Sequence, residues 1–238
     1  MTDTKHSKRG RLPLHLEISE MLAREIKAGI LLDGERLEPE RHMAKRLGIA
    51  VGTLRKSLAV LVDNGMLERI QGSGNYIRNV DVNNTIYGFF RLELIAGGGL
   101  PSATALSVRR KTNSGYLGFG VKDDYYRIRR TRYLNDVPVA LEEIWLDASY
   151  SHEPLSKQEL SDSLYQYYKE QLGFWIARVE DSISIKAAPK WRPSEVGKDS
   201  SKQWGYVERN SWDQQGRQAE FSKTWFDTKK TRYVARWK

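Results

Sequence analysis

The stretch from Leu37 to Ile77 constrains this 238-residue chain more than any other part of it. Two short helical patterns meet near Gly48, and two strand patterns joined by the turn Gln71–Gly74 follow them. From Arg41 to Val62 there are five basic residues and no acidic one. A helix pair followed by a hairpin, with local positive charge, predicts a winged helix–turn–helix that docks on duplex DNA. The alternative is a plain helical subdomain with a solvated basic face.

Apolar residues at helical spacing predict the three helices of this module. Every fourth residue from Leu14 to Ile26 is apolar, and Gly29 stands where that first helix would end. A second helix is predicted to begin at Pro39 and to end at Gly48. The third would bury Leu54, Leu58, Leu61 and Val62 and would end at Gly65.

The surface of this module that would face DNA is the outer side of the third helix together with the wing. Thr53, Arg55 and Lys56 lie on that outer side, and a glycine-rich wing tip allows backbone to approach sugar and phosphate closely. The predicted wing contacts are Gln71, Gly72, Ser73 and Gly74. Residues 1–12 add a polar arm with four basic residues, which is either a tail or a flexible contributor of phosphate or minor-groove contacts.

After a polar linker at residues 79–85 the chain becomes rich in strand patterns. The predicted strands are Ile86–Leu94, Ala103–Lys111, Tyr125–Leu134, Val139–Leu146, Ile176–Ile185, Trp204–Trp212 and Ala219–Phe226. One helix is predicted from about Asp162 to Leu172, with Ser161 as its N-cap and Gly173 as its stop. Hairpin-connected strands with few helices predict an α+β domain with a mainly antiparallel sheet. The domains predicted are therefore 1–78 and 86–238.

Two arginines and one glutamate form the most distinctive polar pattern of the second half. Arg130 and Arg132 are two apart on a predicted strand and so share a face. The turn near Asn135 folds the next strand back, which would place Glu142 beside Arg130. Such a set can hold a phosphate or carboxylate while ordering a hydroxyl. The alternative is a surface charge ladder that contributes well under about 1 kcal/mol per pair.

Composition narrows the class of protein. The net charge of +9 favours a polyanionic partner. The absence of cysteine excludes disulfides, thiolate metal sites and cysteine nucleophiles, and it fits a reducing cytoplasm. No apolar run approaches the ~20 residues of a membrane span. The four histidines are scattered and there is no serine-nucleophile or phosphate-loop motif, so neither an enzyme nor a metal or cofactor site is predicted.

The first 78 residues resemble the DNA-binding domain of the GntR family of bacterial transcription regulators. The segments that match are Pro13-Leu14, Leu37–Arg41, Leu47–Ile49, Thr53–Arg55, Leu58, Leu61, Gly65–Leu67 and Gly72–Tyr76. The resemblance implies that Arg41, Thr53, Arg55 and the wing contact DNA. It also places Val51 and Gly52 at the start of the recognition helix.

Two positions at that helix start depart from the family pattern. Ala50 and Val51 stand where the family usually has Ser-Arg. The lost serine removes a capping oxygen, and the lost arginine removes a group suited to guanine or phosphate. Val51 could instead touch a thymine methyl, so base readout is expected to differ from that of the family.

Residues 86–236 resemble the UTRA effector domain of the HutC-type branch of the family, best over Arg130–Glu142. The resemblance implies a chorismate-lyase-like fold, a homodimer and a small anionic effector. The residues it assigns to the effector are Ser102, Arg130, Arg132, Glu142, Ser163, Tyr165, Glu220 and Phe226. Phe226 stands where similar domains often have tyrosine, so one hydroxyl of the site is lost.

These observations predict a cytoplasmic, dimeric regulator that binds operator DNA. It would be a repressor released by a small anionic metabolite such as a sugar phosphate or sugar acid. Two alternatives stay open at this point. One is a small-molecule enzyme of chorismate-lyase-like fold with a vestigial DNA-binding domain, and the other is a chromosome-organising DNA binder without an effector.

Overall fold

The structure is a computed structural model that describes residues 12–27, 30–78, 87–112, 117–121, 123–194, 196 and 203–235. The predicted N-terminal arm up to residue 11, the helix stop at Gly29 and the linker 79–85 lie outside the described residues. The chain divides into two compact units. We call residues 12–100 and 232–235 the helical unit, and residues 101–231 the sheet unit. Residues 87–100 therefore group with the helical unit, and the predicted linker boundary stays a prediction.

The helical unit contains the predicted order of three helices and a wing. Its elements are α1 Leu14–Lys27, α2 Glu40–Arg46, α3 Val51–Asp63, β1 Leu67–Ile70 and β2 Gly74–Ile77. β1 and β2 are antiparallel, with Leu67 opposite Ile77 and Ile70 opposite Gly74. The winged helix–turn–helix order predicted from the sequence is confirmed.

One apolar core holds these elements together. Ile18, Leu22 and Ile26 of α1 pack with residues of α3 that include Leu54 and Leu58. Leu14 was expected on the same face of α1, but its side chain is 48% exposed, so the apolar face begins at Ile18. Burial of such a stripe is what stabilises short helices, since isolated ones of this length are marginal in water.

A small second sheet completes the helical unit. It pairs β3 Leu92–Leu94 with β10 Thr231–Tyr233. The predicted strand Ile86–Leu94 is wrong over most of its described length, because residues 87–89 form a turn in which the Phe90 N–H donates to the Tyr87 carbonyl at 2.8 Å. Alternating apolar residues there indicated a strand, but the backbone hydrogen bond is local.

The sheet unit is built on six antiparallel strands in the order β4-β5-β6-β9-β8-β7. The strands are β4 Pro101–Thr112, β5 Asp124–Leu134, β6 Val137–Asp147, β7 Ile176–Ala187, β8 Gln203–Asp213 and β9 Gln218–Phe226. Asn135 and Asp136 form the two-residue turn between β5 and β6, both with positive φ, as the hairpin prediction required. The α+β fold class is confirmed.

The one predicted helix of this half is shorter and less regular than expected. It consists of α4 Leu164–Tyr167 followed by a π-helical turn, Tyr168–Leu172. Ser163, and not Ser161, is the N-cap, and its hydroxyl accepts from the Gln166 N–H. Gly173 ends the helix in the left-handed conformation, as predicted.

Candidate functional site

The face predicted to meet DNA is formed by α2, the start of α3 and the wing. Arg41, Gly52, Arg55, Lys56, Gln71 and Gly72 are exposed, whereas Val51, Thr53, Ser73 and Gly74 are half-buried. Val51 packs against the apolar core, so its side chain is divided between the core and the surface. Ala50, the N-cap of helix α3, makes no side-chain hydrogen bond to the first turn, as the missing serine predicted.

Arg55 is held in place by an acidic residue of α2. Its Nε donates to a Glu40 carboxylate oxygen at 2.7 Å, although the arginine side chain is 65% exposed. That hydrogen bond lowers the pKa of Glu40 below its usual value, so the carboxylate is ionised at neutral pH. Glu40 therefore fixes the direction of this exposed guanidinium.

The wing is anchored by the segment that precedes α2. The Leu37 N–H donates to the Asn75 carbonyl and the Ile77 N–H donates to the Glu35 carbonyl. At the tip, Gly72 has φ +75 and open space around its α-carbon. The Ser73 hydroxyl lies 2.6 Å from the Tyr76 hydroxyl. A tip that is braced at its base and bare at its end can approach a sugar–phosphate backbone closely.

In the sheet unit the three charged residues of the predicted pocket meet as expected. Arg130 lies opposite Glu142 in the β5–β6 register. Arg130 donates to Glu142 from Nη2 at 2.6 Å, and Arg132 Nε lies 3.8 Å from the other carboxylate oxygen. All three residues are at least 91% buried, so the alternative of a surface charge ladder is wrong.

This buried triad carries two formal positive charges against one negative charge. Burial by itself raises the pKa of Glu142, but the charges of Arg130 and Arg132 outweigh burial and lower that pKa below its usual value. The carboxylate is therefore ionised. A desolvated site with surplus positive charge suits an anionic group of a ligand.

Asp162 ties the triad to the start of α4 and was missed in the sequence. Its carbonyl accepts from Arg132 Nη1 at 2.8 Å and from Arg130 Nη1 at 3.3 Å. Its carboxylate accepts from the Ala103 N–H of β4 at 2.8 Å. The contact uses the backbone carbonyl of Asp162, which leaves no side-chain pattern in the sequence, so this role of Asp162 was not predicted.

Ser102 and Ser163 both belong to secondary-structure elements of the sheet unit. Ser102 lies in strand β4 opposite Tyr133, and its effector role stays a prediction. Apolar and small residues after Pro101 continue the strand further than predicted. Ser163 caps α4, and its effector role stays a prediction.

A second buried polar group surrounds Glu220 on β9. The Tyr168 hydroxyl donates to Glu220 at 2.6 Å, and the Tyr165 hydroxyl lies 3.0 Å from the Ser211 hydroxyl and 3.3 Å from Glu220. Burial raises the pKa of Glu220, and the hydrogen bond from Tyr168 opposes that rise only in part. Tyr168 and Ser211 were not predicted, although Tyr168 follows Tyr165 at helical spacing.

Two further features concern Arg209 and Phe226 on the same two strands. Arg209 of β8 pairs with Asp181 of β7 through two contacts of 2.6 Å. Phe226 is buried with its ring over Gly205, where an added β-carbon would lie 2.1 Å from the ring. The ring therefore fills the space that the missing side chain of Gly205 leaves, and no tyrosine hydroxyl is offered there.

A separate cavity of about 530 Å³ is lined by residues of the loop 150–161 and by Tyr167, Glu170, Gln171 and Leu172. Its lining does not include the predicted effector residues. Among the described residues there is no helix long and apolar enough to cross a membrane, and no cluster of potential metal ligands.

The fold and these features define a class: a winged helix–turn–helix head joined to a sheet domain that contains a buried, charged cluster. Comparison with known proteins agrees. The model of bacterial regulatory proteins of the gntR family matches residues 14–77, and the UTRA domain model matches residues 105–232. The chain belongs to the gntR family of regulators and carries a UTRA domain. It is a DNA-binding transcriptional regulator and not an enzyme.

Relatives extend along nearly the whole chain. The HTH-type transcriptional regulator SmoD of Agrobacterium fabrum is 50% identical over 228 residues, covering 95% of this chain and 97% of SmoD. The mannosyl-D-glycerate transport/metabolism system repressor MngR of Escherichia coli is 30% identical over 73% of this chain and 75% of MngR. The HTH-type transcriptional repressor NagR of Bacillus subtilis is 24% identical over 92% of each chain.

Solved structures share the fold. YydK of Bacillus subtilis aligns with a TM-score of 0.55 at 18% identity, over 95% of this chain and 100% of YydK. The ligand-binding domain of a GntR-family chain from Bordetella bronchiseptica aligns with a TM-score of 0.56 at 18% identity, over 62% of this chain and 96% of that domain.

Proposed function

We propose that this regulator is a cytoplasmic repressor that a small anionic metabolite, such as a sugar phosphate or sugar acid, releases from its operator. The observation that supports the effector class most is the buried Arg130–Glu142–Arg132 triad with its surplus positive charge. MngR adds support, because its name describes a repressor of a system for mannosyl-D-glycerate, a sugar that bears a carboxylate.

In this proposal each residue of the site has a chemical task. Arg130 and Arg132 hold the anionic group of the ligand, and Glu142 holds the two guanidiniums beside each other. Glu220 with Tyr165 and Tyr168 offers donors and acceptors for hydroxyl groups of the ligand. Ligand binding favours one arrangement of a dimer, and the population shift moves the two heads away from half-sites one helical turn apart.

The DNA part of the proposal is tested by Arg55→Ala. We expect it to weaken operator binding by about 1–3 kcal/mol, because an arginine fork reads guanine edges or phosphates from a recognition helix. Fluorescence anisotropy with a duplex from the promoter beside the gene measures this loss. Arg110→Ala, which removes an exposed arginine of β4, serves as the matched control and should bind like the wild type. Equal affinities for all three proteins would exclude Arg55 from the interface.

The effector part is tested by Arg132→Ala. Thermal-shift screening of the wild type with glucose 6-phosphate, glucosamine 6-phosphate, glucuronate and glycerate identifies a ligand class. The variant should keep operator binding and lose both the thermal shift and the release of DNA, because one of two anion-binding guanidiniums is gone. Retained release by the variant would contradict the role of the triad.

The edge strand β7 supports the homodimer. Among the described residues β7 pairs only with β8, and Ile183 and Ile185 are 56% and 66% exposed. Antiparallel pairing of two copies about Ile183 would place Glu180 opposite Lys186 of the second copy, twice by symmetry. A long exposed apolar edge is otherwise a liability, which a second copy removes.

A further inference from the structure

Helix α1 is tied to the small β3–β10 sheet through one buried side chain. Arg24 is 7% exposed and donates from Nη2 to the Leu92 carbonyl and from Nη1 to the Phe90 carbonyl, the latter at 3.5 Å. Its guanidinium lies over the Phe90 ring, 5.2 Å from the centroid. A planar fork with two acceptors and an aromatic face beneath it fixes direction as well as distance.

The second strand of this sheet, β10, is connected along the chain to β9, a strand of the proposed effector site. β10 pairs with β3, and the Val234 N–H donates to the Arg91 carbonyl at 2.8 Å. β10 is separated from β9 only by the turn of residues 227–230. In that turn the N–H groups of Lys230 and Thr231 both donate to the Asp227 carbonyl. β9 carries Glu220 and Phe226, so a tight turn joins the strand of the site to the sheet that Arg24 grips.

On its opposite side α1 packs against the recognition helix. Ile18, Leu22 and Ile26 share one apolar core with Leu54, Leu58 and Leu61 of α3. Packed cores transmit displacement because they are close to incompressible. A displacement of α1 is therefore a displacement of the helix that reads DNA.

We infer that Arg24 is the positioning residue through which the effector site and the DNA-reading helix influence each other. The inference rests on the proposed function and adds its route: β9, the 227–230 turn, β10, β3, Arg24, α1 and α3. The predicted linker at residues 79–85 is then not the sole connection that matters for regulation. Allosteric coupling is reciprocal, so DNA bound at α3 must change the affinity for ligand at β9 by the same factor as the ligand changes the affinity for DNA. Along the proposed route we expect this coupling to be felt at β9.

Reciprocity permits a test that needs no effector. The probe is a short duplex that the wild-type full-length protein selects from a random pool, and the readout is amide hydrogen exchange with and without this duplex. In the wild type we expect the duplex to protect α3 and the wing and to change exchange in β9, residues 218–226, by roughly fivefold or more, the lower end of typical coupling.

Two variants interrupt the contact from opposite sides. Arg24→Met keeps the length of the side chain and removes its donors, and Phe90→Leu removes the ring without altering α1. Both should still protect α3 and the wing on duplex binding, which also shows that they are folded, while the change in β9 is lost. Arg110→Met is the matched control, since Arg110 also lies over an aromatic ring, that of Tyr126 at 5.8 Å. It should behave like the wild type.

The outcomes distinguish a failure of the role proposed for Arg24 from a failure of the proposed function. A change in β9 that persists in both variants overturns the role of Arg24. A wild type whose α3 and wing are protected without any response in β9 also overturns it, and leaves DNA binding intact. A wild type that selects no duplex and shows no protection of α3 overturns the proposed function itself.

Discussion

At position 50 the recognition helix begins without a capping oxygen. Ala50 has φ −69 and ψ 143, the extended conformation in which a serine hydroxyl reaches the N–H groups of the first turn. Those N–H groups gain no side-chain partner from the N-cap. The start of the recognition helix is therefore less stable than that of a capped helix. A phosphate is a suitable acceptor for the N–H groups there.

Ala50→Ser should stabilise the free protein by about 1 kcal/mol, because it supplies the missing cap. Urea unfolding monitored by circular dichroism measures the difference. Ala59→Ser, on the exposed face of the same helix, is the control and should lower stability slightly, since serine is a poorer helix former than alanine. An Ala50→Ser variant no more stable than the wild type would mean that the first turn is already satisfied.

Glu220 makes stability depend on pH in a direction opposite to that of Glu142. The pKa of Glu220 is raised above its ordinary 4.5, so the folded protein retains a proton that the unfolded chain has lost. Unfolding then releases a proton, and stability falls as pH rises from about 4.5 through the folded-state pKa. The pKa of Glu142 is lowered, so its contribution is lost only as pH falls below about 4.5.

Glu220→Gln should therefore flatten the fall in stability that begins as pH rises above the ordinary carboxyl pKa of about 4.5. Glutamine keeps an acceptor for the Tyr168 hydroxyl without the cost of a buried charge. Urea midpoints measured over that rise in pH test the prediction, with the exposed Glu153→Gln as the control. A variant that loses stability with pH as steeply as the wild type would show that Glu220 does not titrate there.

At the scale of elements, periodicity predicted most of the helices and strands. The strands β4 to β9 lie within one to two residues of their predicted bounds, because runs of strand-forming residues bounded by turn residues mark them in the sequence. The errors fall on segments 87–91 and 162–172. In both, local hydrogen bonds from turns, caps and a π-helical turn decide the backbone, and side-chain periodicity does not record them.

The edge strand β7 carries the prediction that belongs to this scale. Ile183→Lys should convert the proposed dimer into a monomer at micromolar concentration, because it places two like charges on the two-fold axis where two isoleucines would meet. Light scattering coupled to size-exclusion chromatography gives the mass. Val121→Lys, at a position also exposed in this unit, should leave the mass unchanged. A variant that keeps the wild-type mass would place the dimer interface elsewhere.

For the whole molecule, the sequence determined the class of protein and much of the site. Helical spacing, the glycine-tipped hairpin and local basic charge were sufficient for the DNA-binding head, because each is a local property of the chain. Two-residue spacing and one hairpin turn were sufficient to bring Arg130, Arg132 and Glu142 together, since register follows from the turn.

Only the tertiary structure decided what those residues meet and how deeply they lie. The Asp162 carbonyl that receives both arginines, the Tyr168 hydroxyl on Glu220 and the grip of Arg24 on Phe90 and Leu92 join residues far apart in the chain. Burial turned a pattern of charges into a desolvated triad, and desolvation strengthens the interactions between its charges. Long-range contacts and burial depend on how elements pack, which no local pattern of residues specifies.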